Sequence, residues 1–475
     1  MKPKIWLSPP HMCGEEQKFI SQAFSTNWIA PLGPNVDGFE SDIESYLQND
    51  CHVAALSSGT AAIHLALILL GIESNDEVIC QSFTFSGSAN PILYLGATPI
   101  FIDSEKNSWN LCPEQLEIAI TDRISKGKKP KAIIAVHLYG MPYQTEAINR
   151  IGRNYDIPII EDSAEALGSS RHNVKCGSLG DLSILSFNGN KIITTSGGGA
   201  LIAKNIDTKK RAIFLATQAR DEDIAYLHSN IGFNYRMSNI LAGIGRGQMT
   251  ALESYVTKRR FIFDYYEQNL SHIKELEFLH EADGNYSNRW LSCFLTPNYE
   301  NREMLRIRLS KENIESRPLW RPLHQQPIFK NSPSYLNGIS DDLFDTRNKL
   351  YDLSKRNKNI EIIEKYCDYK EFRNILKRID IMPIIHSSKE INKVTSGTMY
   401  SCTSNEIPLV IPDGTLFMDK VLKYKSFENA KNLHEFANKL IKISKRYNYY
   451  LNNVKKNSNI LKSILKKDPL KINII

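Results

Sequence analysis

The chain has 475 residues, 42% hydrophobic and 23% charged, which places it among globular proteins of about three domains and excludes a disordered chain. The net charge of +7 is uneven: Lys420–Ile475 holds 14 Lys/Arg against 3 Asp/Glu, leaving the first 419 residues at −4 and arguing against a protein that binds nucleic acid as a whole. No run approaches the roughly 20 apolar residues of a membrane span, and the N-terminus has no signal-peptide run. Eight scattered cysteines without a CxxC pair point to reduced thiols in a cytoplasm, not to a disulfide frame or a zinc site.

Residues 50–205 alternate between short strands and helices. Val53–Leu56 reads as a strand, and Ser57-Ser58-Gly59-Thr60 opens the helix AAIHLALILL, apolar almost all round and therefore buried. Glu77–Gln81 is the next strand, followed by a helix over Ser86–Leu95 and a strand at Thr98–Ile102. Lys131–His137 and Pro158–Glu161 are further β-rich runs. This alternation predicts an α/β sheet with helices on both faces. Residues 251–346 mix helix with shorter strands, as a smaller α/β domain does. Beyond Arg347 the chain turns rich in Lys, Asn and Ile, with strand-like IDIMPII and IPLVIP before a basic helical tail.

Four segments carry candidate chemistry. SSGTAA, at 57–62, turns the chain into a helix whose free N–H groups and dipole favour a phosphate, although the same residues also make an ordinary cap. IIEDSAEALGS, at 159–169, is an apolar strand ending in two acids, where α/β sheets gather ligands. Asp162 there can hold a protonated ring nitrogen or simply cap a helix. SILSFNGNKIITTSGGGALI, at 183–202, puts Lys191 in a Gly/Asn loop after Ser186, a poorly solvated place that suits Schiff-base formation. The SGGG run then allows a tight return into ALIA. IGFNYRMSNILAGIG sets Asn234, Tyr235 and Arg236 before a small-residue helix. Phosphate cradle, ring-nitrogen acid and lysine, in this order, are the parts that pyridoxal phosphate needs.

The motifs LSPPHM, NWIAPLGP, SSGTAAIHLAL, CQSFTFSGSANPILY, FIDSE, VHLYG, IIEDSAEALG, SFNGNKIITTSGGG, GFNYRMSNILAG, SNRW and ESRPLWRPLHQQPIF resemble the DegT/DnrJ/StrS-type sugar aminotransferases over residues 5 to about 346. The likeness is strongest to enzymes making UDP-4-amino-4,6-dideoxy-N-acetylglucosamine. It implies the fold type I architecture of aspartate aminotransferase: a large domain with a mixed sheet (1–250), a small α/β domain (251–346) and an extension (347–475). It also implies roles. Lys191 carries the cofactor and shuttles the proton; Asp162 pairs with the pyridine nitrogen; Phe85 stacks on the ring; Gly59, Thr60 and Ser186 hold the phosphate. Glu165 lies beside the cofactor, and Asn234, rather than Arg236, reaches the phosphate of a second copy in a homodimer with shared sites. Lysine rather than histidine at 191 argues against the family's dehydratase branch. Trp28, His137, Tyr139, Arg317, Trp320, Arg321 and His324 are candidates for the sugar-nucleotide lip; Trp320 and its prolines equally suit a packed corner. The implied substrates are a UDP-linked 4-keto-6-deoxy sugar and L-glutamate, in the cytoplasm.

The likeness stops after YLNGISDDLF, where the family continues into a strand and a final helix and this chain runs DTRNKLYDLSK. The small domain is therefore expected to lack its closing strand and helix. The segment IDIMPIIHSSKEINKVTSGTMYSCTSNEIPLVIPDGT resembles part of the C-terminal half of GT-B glycosyltransferases, a partial Rossmann-like α/β piece, with Ser401 where those proteins place a ribose-binding Glu. The SGT at 396–398 is the alternative source of the missing strand. Besides the enzyme, two other readings follow: a cofactor-binding or dimerising remnant without turnover, and a fusion with a glycosyltransferase module.

Overall fold

The computed structural model describes residues 3–48, 50–297, 299–344, 382–383, 409–412, 427–430, 442 and 448–457. The chain forms two compact units, Met1–Asp345 and Thr346–Ile475.

The first unit is built on an eight-stranded sheet with smaller sheets beside it in the chain. In chain order come β1 (His52–Leu56), β2 (Glu77–Gln81), β3 (Thr98–Ile102), β4 (Ala132–Val136) and β5 (Ile159–Asp162), then the hairpin β6 (Ser170–Arg171) and β7 (Val174–Lys175), then β8 (Leu182–Ser186) and β9 (Gly199–Ala203). Three short strands follow, β10 (Glu277–Phe278), β11 (Asn285–Tyr286) and β12 (Phe294–Leu295), and last β13 (Ser334–Tyr335). The large sheet has the order β1-β9-β8-β5-β4-β2-β3-β13. Only β9 runs against the rest, pairing antiparallel with β1 and with β8. The sheet is therefore mixed, and the C-terminal ends of its parallel strands share one edge, the edge that collects ligands in such sheets.

Helices cover both faces. Along β1–β5 alternate residues point to opposite sides, and both sides are apolar, as a sheet buried twice requires. Leu56, Val78, Cys80, Ile134 and Ile160 pack with α3 (Gly59–Leu69) and α7 (Ile206–Ala216) on one face. On the other face Ile79, Ile100, Ile133 and Ile159 pack with α5 (Pro113–Ser125) and α6 (Thr145–Tyr155). Val53, Ala55, Leu185 and Ile202 pack there with α2 (Pro34–Leu47) and the start of α9 (Leu252–Leu270). Caps fix where helices begin: Ser58 accepts from the Ala61 N–H, Asn205 from Thr208, and Ser238 from Leu241 at the head of α8 (Asn239–Met249).

Two expectations need correction. The helix expected over Ser86–Leu95 is split into a 3-10 turn at Ser86–Ser88 and a short helix, α4 (Asn90–Tyr94). Pro91 has no N–H and sits in the first turn of α4, where that donor is not needed; a single helix through it would be. The stretch 251–346 is also not wholly a separate small domain. Ser334–Tyr335 pairs parallel with β3 in the large sheet. The chain that follows is clasped by Asp103, which accepts from the N–H groups of Asn337, Gly338 and Ser340. Of the small lobe's own sheet, β10 and β12 form the two strands among the described residues.

In the second unit, Met382–Pro383, Leu409–Pro412 and Phe427–Ala430 pair parallel in chain order, and residues 448–457 are helical. The first two of these strands fall within IDIMPII and IPLVIP, the runs read as strand-like. Ser401 and the SGT at 396–398 lie outside the described residues.

Gly199 marks where β9 passes the head of α3. A Cβ there would lie 2.3 Å from the Ser58 carbonyl carbon and 2.4 Å from the Gly59 nitrogen, backbone atoms that cannot swing aside. Gly199→Ala should therefore lower the melting temperature by several degrees, the effect of an overpacking cost of about 1–3 kcal/mol. Thermal unfolding against the wild type checks this.

Candidate active site

The candidate residues meet at the shared C-terminal edge of β5 and β8. Asp162 ends β5 and is 3% exposed. Ser88 Oγ donates to its Oδ2 at 2.6 Å, and the Ala164 N–H to its Oδ1 at 3.1 Å. Burial pushes this carboxyl up, against those two bonds and the nearby Lys191 charge. An isolated buried carboxylate is costly, so Asp162 is poised for a cation.

Lys191 lies in the loop between β8 and β9. Its Nζ donates to Glu165 Oε1 at 3.2 Å and sits 4.4 Å from the centre of the Trp290 ring. Glu165 is itself buried, and the Tyr139 N–H donates to its Oε2 at 2.7 Å. Burial pushes the Glu165 carboxyl up as well, opposed by the Lys191 charge and the Tyr139 bond.

The head of α3 and the end of β8 form a cradle. A Cβ on Gly59 would lie 2.9 Å from Ser186 Cβ, so glycine is what lets the two approach. Ser58 satisfies Ala61, but the N–H groups of Gly59 and Thr60 and the hydroxyls of Thr60 and Ser186 have no partner among the described residues. Four unpaired donors at the N-terminus of an eleven-residue helix fit a phosphate. A buried acid and a lysine beside such a cradle fit pyridoxal phosphate. Next to them a cavity of about 390 Å³ is lined by Phe85, Asn90, Trp320, Arg321 and Gln326, among others. Phe85 is 58% exposed, and its ring lies 5.5 Å from that of Trp320.

The structure sorts the proposed lip residues. Tyr139 and Trp320 stand together: the Trp320 N–H donates to the Tyr139 hydroxyl at 3.0 Å, and their rings are 4.9 Å apart. Arg321 is exposed at the cavity, over the ring of Phe344. His137 is not at the lip. It is fully buried, its Nδ1 accepts from the Tyr143 N–H, and its Nε2 therefore donates to Glu161 at 2.7 Å. His324 is likewise turned inward, between Ser82 Oγ at 2.7 Å and Asp341 Oδ1 at 2.9 Å. Arg317 points to solvent, paired with Glu315. Trp28 is half-exposed against Gly33, where nothing among the described residues links it to Lys191. Asn234 is exposed, whereas Arg236 is tied inward to Glu40 and the Ala55 carbonyl. Sequence reasoning passed over Ser88, Asn288 and Trp290. They lie within the motifs CQSFTFSGSANPILY and SNRW, but no periodicity or spacing marks them as neighbours of Asp162 and Lys191.

Glu161, the neighbour of Asp162, faces the other way. It accepts from His137, Ser163, Ser183 and the N–H groups of Gly177, Leu179 and Gly180. With Cys176 it resembles a metal cluster, but its oxygens are filled by these donors. Burial alone would raise this carboxyl; the bonds from His137, Gly177 and Ser183 outweigh it and hold it at about 2. Because this lies below the value of 4.5 for a free glutamate, Glu161 contributes fully above about pH 4.5, and the contribution fades as pH falls toward 2. Glu161→Gln, whose amide cannot accept from all of these donors, should cost about 1–3 kcal/mol for each donor left unpaired at neutral pH and flatten the acid limb of the stability profile between those values. Urea unfolding of both proteins across that range measures it.

A family model for the DegT/DnrJ/EryC1/StrS aminotransferases matches residues 10–347. The chain is 48% identical over 348 residues to EpsN of Bacillus subtilis (strain 168), provisionally named a pyridoxal phosphate-dependent aminotransferase, covering 72% of this chain and 89% of that protein. It is 36% identical over 321 residues to the GDP-perosamine synthase of Escherichia coli O157:H7, covering 67% and 85%. Among solved structures it is similar to a DegT DnrJ EryC1 StrS aminotransferase from Brucella abortus, with a TM-score of 0.65 and 30% identity over 69% of this chain and 87% of that one.

Proposed function

The chain belongs to the DegT/DnrJ/EryC1/StrS aminotransferase family and is a pyridoxal phosphate-dependent sugar aminotransferase; from that premise we propose that it moves the amino group of L-glutamate to C4 of a UDP-linked 4-keto-6-deoxy sugar. One observation carries the reading: the unpaired donors of Gly59, Thr60 and Ser186 stand at the same sheet edge as the buried Asp162 and the half-buried Lys191. The product would feed the synthesis of surface polysaccharide or of protein-linked glycans.

When bound, the cofactor supplies an electron sink for the C–H bond that is broken. In this reading Lys191 attaches the cofactor and carries the proton between its Nζ and the substrate carbon. Asp162, kept in place by Ser88 and Ala164, answers the positive ring nitrogen. The cradle of Gly59, Thr60 and Ser186 takes the phosphate, and Phe85 presents its exposed face to the ring. Glu165 holds the lysine head through its 3.2 Å bond. Trp320 and Arg321 offer an aromatic face and a cation to a nucleoside diphosphate. The exposed Asn234 reaches the phosphate of a second copy, which makes the enzyme a homodimer. The cytoplasm is its proposed compartment, on the scattered cysteines without a CxxC pair; no described helix is long and apolar enough to cross a membrane.

A GDP-linked sugar is the second reading, favoured by the name of the Escherichia coli relative. Cofactor binding without turnover is the third, favoured by a small sheet in which β10 and β12 have two residues each.

The absorption spectrum separates these. The purified protein should show a visible cofactor band that bleaches with L-glutamate and is absent in Lys191→Ala. A UDP-linked 4-keto-6-deoxy sugar should then restore the band. Restoration by the GDP-linked sugar alone would replace the UDP reading, and a band indifferent to glutamate would leave a binding protein. Asp162→Asn should keep the band and slow bleaching about 10²–10⁴-fold, as expected from losing one member of a buried charge pair worth about 3–5 kcal/mol.

A further inference from the structure

Lys191 has a grip that the roles above leave out. Trp290 is 2% exposed, and its indole N–H donates to the Asn190 carbonyl at 2.6 Å. Asn190 immediately precedes Lys191. Its carbonyl also accepts from Ser8 Oγ at 2.7 Å, so both lone pairs are used. The face of the same indole lies 4.4 Å from Lys191 Nζ. One side chain thus touches the lysine at its backbone and at its head.

Trp290 is itself held from two sides. Its backbone N–H donates to Asn288 Oδ1 at 2.9 Å, while Asn288 Nδ2 donates to the carbonyls of Glu165 and Leu167 at 2.8 and 2.9 Å. Asn288 therefore ties Trp290 to the turn carrying Glu165, whose carboxylate takes the lysine from the other side. The indole also stacks near Tyr139, at 6.5 Å and 28°, and meets Trp320 at 6.4 Å. These aromatic neighbours leave it little room to rotate.

We propose that Trp290 is the positioning residue for Lys191: its N–H anchors the loop at Asn190, and its ring face receives the ammonium whenever the lysine nitrogen has no covalent partner. This deepens the reading above and rests on it. A lysine that attaches, leaves and returns within one reaction needs a place to stay close to the reacting carbon. Its long flexible stem otherwise carries the head into solvent. A desolvated cation on an indole face holds it there without a second permanent charge.

The test has two arms. In the cofactor-free protein, an amine-reactive reagent followed by peptide mass spectrometry reads how fast Lys191 is labelled. Trp290→Leu should speed that labelling about 10-fold or more, with Lys204 and Lys209 unchanged as internal controls, whereas Trp290→Phe, which keeps a ring face, should stay within about twofold of wild type. In the loaded enzyme, Trp290→Phe should slow glutamate bleaching about 5-fold, the loss of one hydrogen bond, and Trp290→Leu about 100-fold, with KM for glutamate little changed. If the leucine variant does not fold, Ser8→Ala, which removes the other donor to Asn190, should still slow bleaching about 5-fold at an unchanged melting temperature. Equal Lys191 labelling in wild type and variants, or unchanged bleaching in folded Trp290→Phe and Ser8→Ala, overturns the inference. A wild type that shows the labelling difference against Trp290→Leu but ignores glutamate keeps the grip and overturns the reading of function instead.

Discussion

Two adjacent carboxylates end β5, both buried, and the site depends on how each is compensated. A buried carboxylate is tolerated only when donors or cations surround it. Glu161 is satisfied entirely by the protein, through His137 just after β4, Ser183 of β8 and the N–H groups of the turn at 177–180. It thereby pins three neighbouring segments at the strand ends. Asp162 receives two bonds, and its burial is left incompletely offset. The alternation of a strand sends one acid to structure and the other toward the ligand edge.

The same division runs through the rest of the edge. Donors that the fold could have paired are left open at Gly59, Thr60 and Ser186, while the groups around them are tightly paired. Lys191 is approached from below by Glu165 and from the side by Trp290, and Asn288 connects those two. From Trp290 a run of aromatic rings, Tyr139, Trp320 and Phe85, leads to the cavity wall. The lysine and the cavity wall are thus joined by one run of aromatic contacts.

Histidines 137 and 324 show why residue type alone misled about the lip. Each follows a strand or a proline-rich turn at the ligand edge, where an imidazole reads as a sugar contact. Each instead faces a carboxylate inside the protein, Glu161 for one and Asp341 for the other. The partner acids lie 24 and 17 residues away, with no periodic relation to the histidines. The stretch 251–346 reads as a small domain because it mixes helix with shorter strands. The pairing of Ser334–Tyr335 with β3, and the turn closed on Asp103, put its end on the large sheet.

By itself the sequence determined the parts that rest on local rules. Strand and helix alternation, the Ser58 cap, the glycine that opens the cradle, the acid at a strand end and the lysine in a small-residue loop are all short-range features, and their order along the chain named the cofactor. Only the tertiary structure decided which side chains share that site. Ser88 reaches Asp162 across 74 residues, and Trp290 reaches Asn190 across 100. Such contacts are set by how the sheet orders its strands and how buried charges find donors. Neither leaves a periodic signal in the chain.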